Sequence, residues 1–267
     1  IFNGAFGEKW HMYTRRLRPE AVAMPFGPEQ ELDPDSMVFR EGDLICLTQN
    51  ETSNGTSVSN KIIARIRLNN PKHLSAVDAT SSMAGVYLDF SAADVWFASV
   101  QKCFGLPAGL GIMICSPRAV ARIHEVNERN HYNSLTAIDE MMQKWQTVCT
   151  PNVLGIYLLG RAARAMKKIS VTETKLRKRQ ARWVRVFRSS KNLSLLIQNP
   201  SVQSRTVIAV SGDEHLIALV KRKARRRGLL LGEGYGSLQA TSFRIANFPA
   251  LHKKEITKLE KFLTTYL

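Results

Sequence analysis

Short apolar runs that end abruptly in a polar residue mark the first part of the chain. Leu74-Ser75-Ala76-Val77 closes on Asp78, and the run from Val95 through Gln101 closes on Lys102. Each has the length of a buried strand rather than of a one-sided helix. A glycine-rich turn, Cys103 to Gly111, leads to another apolar run, Ile112-Met113-Ile114-Cys115. Helical stretches such as Pro117 to Arg129 alternate with these runs, which predicts an α/β sheet with crossover connections. The opening residues around Ile1 also read as strand. From Asn152 the period lengthens. Helices are predicted over Asn152 to Lys168, Val171 to Ser189 and Asp213 to Arg227, the last stopped by Gly228. Strands are predicted over Thr206 to Val210, Leu229 to Leu231 and Phe243 to Phe248, ahead of a final amphipathic helix. Gly232-Glu233-Gly234-Tyr235-Gly236 matches no dinucleotide-binding spacing and reads as a turn.

Charge divides the chain at the same place. The net charge is +16, but residues 1–150 carry −2 and residues 151–267 carry +18. With the change of period, this predicts a large α/β domain over 1–150 and a small α+β domain, with its linking helix, over 151–267. Two basic runs, one from Lys175 to Arg188 and one from Lys221 to Arg227, raise the question of nucleic acid. Leu176, Gln180, Trp183, Val184 and Phe187 share one helical stripe, so the aromatics are expected in a core rather than against bases. The second run sits at a helix C-terminus, where cations suit the dipole. Nucleic acid is therefore not the expected partner, and incidental attraction to polyanions is. The four cysteines, Cys46, Cys103, Cys115 and Cys149, lack metal-ligand or disulfide-frame spacing and suit reduced thiols in a cytoplasmic enzyme. Cys103 reads as a packing residue. The histidines are scattered without a metal pattern, and no apolar stretch is long enough to span a bilayer.

Chemistry concentrates at the two polar strand ends. A lysine at the mouth of a buried strand loses solvation, which favours its neutral, nucleophilic form and equips it to hold a carbonyl cofactor as a Schiff base. If the Asp78 and Lys102 strands are parallel neighbours, both side chains emerge at one sheet edge, where open α/β folds bind ligands. A carboxylate facing an amine there is the pairing that pyridoxal 5'-phosphate needs, one for the aldehyde and one for the ring nitrogen. An ordinary salt bridge, or an aspartate capping the next turn, is the competing reading.

Several motifs together resemble the class V aminotransferases. They are Val77-Asp78-Ala79-Thr80, the segment Asp94 to Gly111 around Lys102, Gln49-Asn50-Glu51-Thr52, Asn3-Gly4-Ala5-Phe6-Gly7 and Ser242-Phe243-Arg244-Ile245-Ala246-Asn247. The Asn-Glu-Thr and Phe-Arg-Ile-Ala-Asn runs lean toward the phosphoserine aminotransferases, while the Lys-Cys-Phe-Gly turn is also similar to alanine–glyoxylate relatives. The resemblance implies a fold type I, pyridoxal-phosphate-dependent transferase working as a homodimer on amino acids and 2-oxo acids. It implies Lys102 as the Schiff-base and proton-transfer residue and Asp78 as partner of the ring nitrogen. Thr52 would bond the ring hydroxyl, Gln101 the phosphate, Thr150 the neighbouring subunit's phosphate, and Arg244 the substrate carboxylate. Cys149 stands where the family carries a more usual polar residue. The resemblance also implies a family segment ahead of Ile1, with a phosphate-binding turn, so that the chain is expected to be N-terminally truncated.

Overall fold

The computed structural model describes residues 1–266. Helix α1 (Ala5–Leu17) is followed by strand β1 (Leu44–Thr48) and a tight hairpin, β2 (Asn50–Glu51) with β3 (Thr56–Ser57). Next come α2 (Asn60–Asn69), β4 (Leu74–Asp78), β5 (Val95–Ser99), β6 (Gly111–Cys115), α3 (Pro117–Val126) and α4 (Leu135–Met142). Two long helices, α5 (Val153–Ala165) and α6 (Ile169–Arg188), lead to β7 (Leu193–Leu195), β8 (Val207–Gly212) and α7 (Glu214–Arg226). The chain closes with β9 (Gly232–Glu233), β10 (Ser242–Ala246) and α8 (Lys253–Leu263).

The first sheet has the order β1-β4-β5-β6. β1, β4 and β5 run parallel, and β6 returns antiparallel along β5. Ile45, Leu47, Val77, Trp96 and Ala98 from this sheet pack with Ile63 and Ile66 of α2 into one core. Burial of each large side chain of this kind contributes about 1.5–3 kcal/mol. α2 starts at Ser59, whose hydroxyl accepts the Ile62 amide. α3 starts at Ser116 with Pro117 in its first turn, where a missing N–H costs nothing.

The second sheet, β7-β8-β10-β9, is wholly antiparallel. Phe243 and Ile245 lie opposite Val210 and Ile208, so all four share a face. That face packs on Trp183 and Phe187 of α6, Ile217 and Val220 of α7, and Ile256 and Phe262 of α8. Leu176, Trp183 and Phe187 are all buried, as their stripe predicts.

Three local expectations change. Leu229–Leu231 is not a strand. Leu230 is 85% exposed, and the pairing with β10 falls instead on Gly232 and Glu233, within the segment expected to be a turn. α3 stops at Val126, where Asn127 adopts the left-handed conformation that ends helices. Residues 1–3 form no full strand. Phe2 makes an isolated bridge to Pro25, and the Ile1 amine donates to the Cys46 carbonyl at 2.7 Å.

The β2–β3 hairpin joins the two sheets. Ser57 N–H donates to Val202 O and Ser204 N–H to Gly55 O, each at 2.8 Å. Asn50 is buried and bridges both sides, donating to Ser81 Oγ and accepting from Ser204 Oγ, each at 2.7 Å. Gly55 has φ +80°, and a Cβ there would lie 3.2 Å from the Ala209 backbone nitrogen. Both the left-handed backbone and the close approach to β8 require glycine.

Candidate active site

The parallel register sets the site. Asp78 pairs with Thr48 on one side and Phe97 on the other, so the C-terminal ends of β1, β4 and β5 open at one edge. Lys102 lies just past β5, in a turn held by three backbone bonds: Val100 N–H to Leu110 O, Leu106 N–H to Val100 O, and Gly105 N–H to Lys102 O. Gly105 has φ +71°, and a Cβ on it would come within 2.7 Å of Ala250. The turn is thereby fixed against the segment before α8.

Lys102 Nζ donates to Thr52 Oγ1 at 3.1 Å and lies 5.2 Å from the centre of the Phe6 ring. Burial pulls the Lys102 pKa below the ordinary lysine value. The nearby charge of Asp78 opposes that shift, and Arg244 reinforces it. The amine is thus biased toward its neutral form, with one hydroxyl contact and an aromatic face for company. Asp78 Oδ1 accepts the Thr80 amide at 2.8 Å, and Oδ2 takes no donor among the described residues.

Arg244 arrives from the second sheet. Alternation along β10 places Phe243 and Ile245 in the helix-covered core and turns Arg244 the other way. Its Nη1 donates to the Thr52 carbonyl at 2.9 Å and its Nε to the Glu233 carbonyl at 2.7 Å. Burial also lowers the Arg244 pKa, with Glu51, Tyr235 and Glu233 opposing.

Two residues without a role in the sequence reading complete the arrangement. Glu51 is 1% exposed and accepts four bonds. Phe6 N–H (3.2 Å) and Gly7 N–H (3.0 Å) reach Oε2, and Ser53 N–H (2.9 Å) and Oγ (2.7 Å) reach Oε1. A buried carboxylate thus takes the free amides of the first turn of α1, where the helix dipole favours negative charge. It fixes Phe6, whose ring also packs 5.1 Å from the Tyr235 ring. In sequence the one hint was an acid between Asn50 and Thr52, and nothing there reveals donors 44 and 45 residues earlier.

Lys102, Thr52, Arg244 and Asp78 are therefore gathered at one edge. Gln101 and Thr150 are exposed, and neither makes a hydrogen bond to that group. Cys103, adjacent to Lys102, is buried, donates to the Ser81 carbonyl at 3.3 Å, and has its thiol pKa pushed up to about 12 by burial. It is a packing residue with little thiolate at neutral pH. All four cysteines are free.

The donor set fits pyridoxal phosphate. It offers a desolvated amine, a carboxylate oxygen left open at the same edge, and a hydroxyl and an aromatic ring beside the amine. The aminotransferase class-V family pattern matches residues 5–246. A phosphoserine aminotransferase of Corynebacterium glutamicum is 27% identical over 267 residues, covering 97% of this chain and 69% of its own length. The crystal structure of a phosphoserine aminotransferase from Cytophaga hutchinsonii superposes with a TM-score of 0.91 at 30% identity, covering 100% of this chain and 75% of that one. An alanine–glyoxylate aminotransferase from Nostoc sp. shares the fold, with a TM-score of 0.85 at 17% identity, covering 99% of this chain and 73% of that one.

Proposed function

The chain belongs to the class V aminotransferases, with the α/β fold of pyridoxal-phosphate-dependent transferases, and from that premise we propose that it is a phosphoserine aminotransferase whose cofactor is held by Lys102. The observation that carries the reading is the half-buried Lys102 amine, biased toward neutrality and bonded to Thr52, at the edge that Arg244 also reaches. When bound, the cofactor supplies an electron sink for the pair left on the substrate's Cα.

The residues divide the remaining work. Lys102 Nζ would hold the cofactor and would move the proton at the substrate's Cα, a task for an amine whose pKa burial pulls below that of a free lysine. Asp78, whose Oδ2 takes no donor among the described residues, would hold the cofactor's ring nitrogen and favour its protonated form. Phe6, whose ring lies 5.2 Å from Lys102 Nζ, would shield the site from water. Thr52 Oγ1 holds Lys102 Nζ at 3.1 Å and would bond the ring hydroxyl. Arg244 offers a planar, multi-donor group to the substrate's α-carboxylate. Gln101 and Thr150 are exposed, which leaves Gln101 available to the cofactor phosphate and Thr150 to the phosphate of a second copy in a homodimer.

The substrates in this reading are glutamate and 3-phosphohydroxypyruvate, in serine biosynthesis. Relatives at 27% and 30% identity that bear the phosphoserine aminotransferase name support it. Transfer from alanine or serine to glyoxylate is the alternative on the same scaffold. We assign residues 1–150 to a cofactor-binding domain and 151–267 to a small domain that delivers Arg244. We place the protein in the cytoplasm, and no helix among the described residues is long and apolar enough to cross a membrane.

The test is absorbance in the visible range after adding pyridoxal phosphate, with Lys102→Ala beside the parent. A band in the parent that is lost in the variant supports the assignment, and no band in either makes this chain a non-catalytic remnant. Assays of glutamate with phosphohydroxypyruvate against alanine with glyoxylate then choose the substrate. Turnover of the second pair alone would overturn the first choice.

A further inference from the structure

The two basic runs belong to separate helices in the sequence, and the fold makes them one surface. Trp183 and Phe187 of α6, Val220 and Ala224 of α7, and Ile256 and Phe262 of α8 enter a single core on one face of the second sheet. α8 touches both neighbours. Arg182 Nε of α6 donates to Glu260 Oε1 at 2.7 Å, and Lys258 Nζ donates to the Arg227 carbonyl after α7 at 3.1 Å. Three helices whose inner stripes share one core turn their opposite stripes to solvent on the same side. At about 100° per residue, those outer ridges carry Lys178 and Arg185, Arg222 and Arg226, and Lys254 and Lys261. All six are exposed.

Little nearby acid offsets them. Of the four glutamates on these helices, Glu173 is paired with Arg205, Glu260 with Arg182, and Glu255 with the His252 amide. Glu214, in the first turn of α7, is the remaining one. The ridges carry few large apolar groups, Val171 at the start of the α6 ridge being one. From residue 169 onward, the exposed ones among the described residues are Val171, Leu230 and Tyr235.

We propose that this outer face binds the phosphate backbone of double-stranded nucleic acid without reading its sequence. A duplex presents a dense line of negative charge that cationic ridges can neutralise with release of counterions. A membrane surface fits less well, because peripheral helices sink an apolar face into the lipid boundary, and here those faces form the protein core. Single strands fit less well too. Their binding draws on stacking platforms, and Trp183 and Phe187 are 1% and 3% exposed. Arg244 lies on the other face of the sheet, so a bound duplex leaves the candidate active site open.

Fluorescence anisotropy of a short labelled duplex, titrated with the full chain between about 50 and 200 mM salt, tests this. We expect the logarithm of the binding constant to fall with the logarithm of salt, with a slope of about −0.9 per phosphate contacted. Replacing Lys178, Arg185, Arg222 and Arg226 together by Gln should flatten that slope by about three to four, and Arg226→Gln alone by about one. The triple replacement Arg15→Gln, Arg16→Gln and Arg18→Gln, at the end of α1 and beyond it, should leave the slope unchanged. Three results would overturn the proposal. They are no duplex binding at the lowest salt, an equal loss from the α1 replacements (attraction by net charge alone), or binding to anionic phospholipid vesicles in preference to the duplex. The single variant keeps the test decisive if the quadruple one does not fold.

Discussion

The two ends of β5 solve the same problem in opposite ways. At its start, Asp94 is fully buried and saturated. Arg67 Nη1 (3.1 Å), Arg118 Nη2 (2.8 Å), Ser116 Oγ (2.9 Å) and the Ser75 amide (3.0 Å) all donate to its carboxylate. Burial alone would raise the Asp94 pKa, but these donors together hold it below the usual carboxylate range. At the far end, Lys102 has one hydroxyl contact and a lowered pKa. A buried charge with a full set of partners is committed to structure, and one with a partial set keeps a free-energy difference for chemistry to use. Geometry, rather than burial, separates the anchor from the candidate reactive group.

Breaking each end should separate function from stability. Lys102→Ala should lower turnover by about 10⁴-fold, while the urea unfolding midpoint of the apoprotein stays level or rises. Asp94→Ala should do the reverse, costing about 3–5 kcal/mol in urea unfolding because two arginines lose a buried counter-charge. Among folded molecules, the cofactor absorbance should persist. Loss of both properties in either variant would dissolve the comparison.

pH sharpens it. The Asp94 pKa is lowered on folding, so its stabilisation is present above the unfolded value of about 3.9 and is lost as pH falls through the folded value. The Lys102 pKa is also lowered, so the unfolded chain binds more protons between the folded value and about 10.4, and stability rises with pH across that window. Both slopes are positive, but the acidic one removes a gain and the alkaline one relieves a cost. Urea midpoints should therefore fall at acid pH less steeply in Asp94→Asn than in the parent. They should rise at alkaline pH less steeply in Lys102→Met. A smaller effect is expected where the two sheets meet. Gly55→Ala, at φ +80° against β8, should cost about 1–2 kcal/mol in thermal or urea unfolding.

Asp78 and Lys102 were legible because each ends an apolar run, whereas the parallel pairing of β4 with β5, which no α-helix separates, stayed conditional in sequence and comes from the backbone register. Arg244 stands out by resemblance alone, since an arginine inside an apolar strand reads as an edge residue until its neighbour across the site is known. Leu229–Leu231 misled because an apolar triplet resembles a strand wherever it lies, whereas pairing with β10 was fixed by backbone register at Gly232. The roles of Glu51 and Phe6 were invisible because they arise from packing α1 against a hairpin distant in sequence. The basic runs were read helix by helix, and only the shared core shows that they face one way.

Phe243 and Arg244 are adjacent, yet one serves the helix-covered core and the other the candidate active site. A slip of one residue in β10 would drive the guanidinium into the core and present the phenyl ring to the candidate active site. Such an error would be too unstable to persist, so molecules that fold at all carry the arginine on the correct side. Fidelity at this position is inherited from folding, and a cell would remove mis-registered copies by degradation before they could act as faulty catalysts.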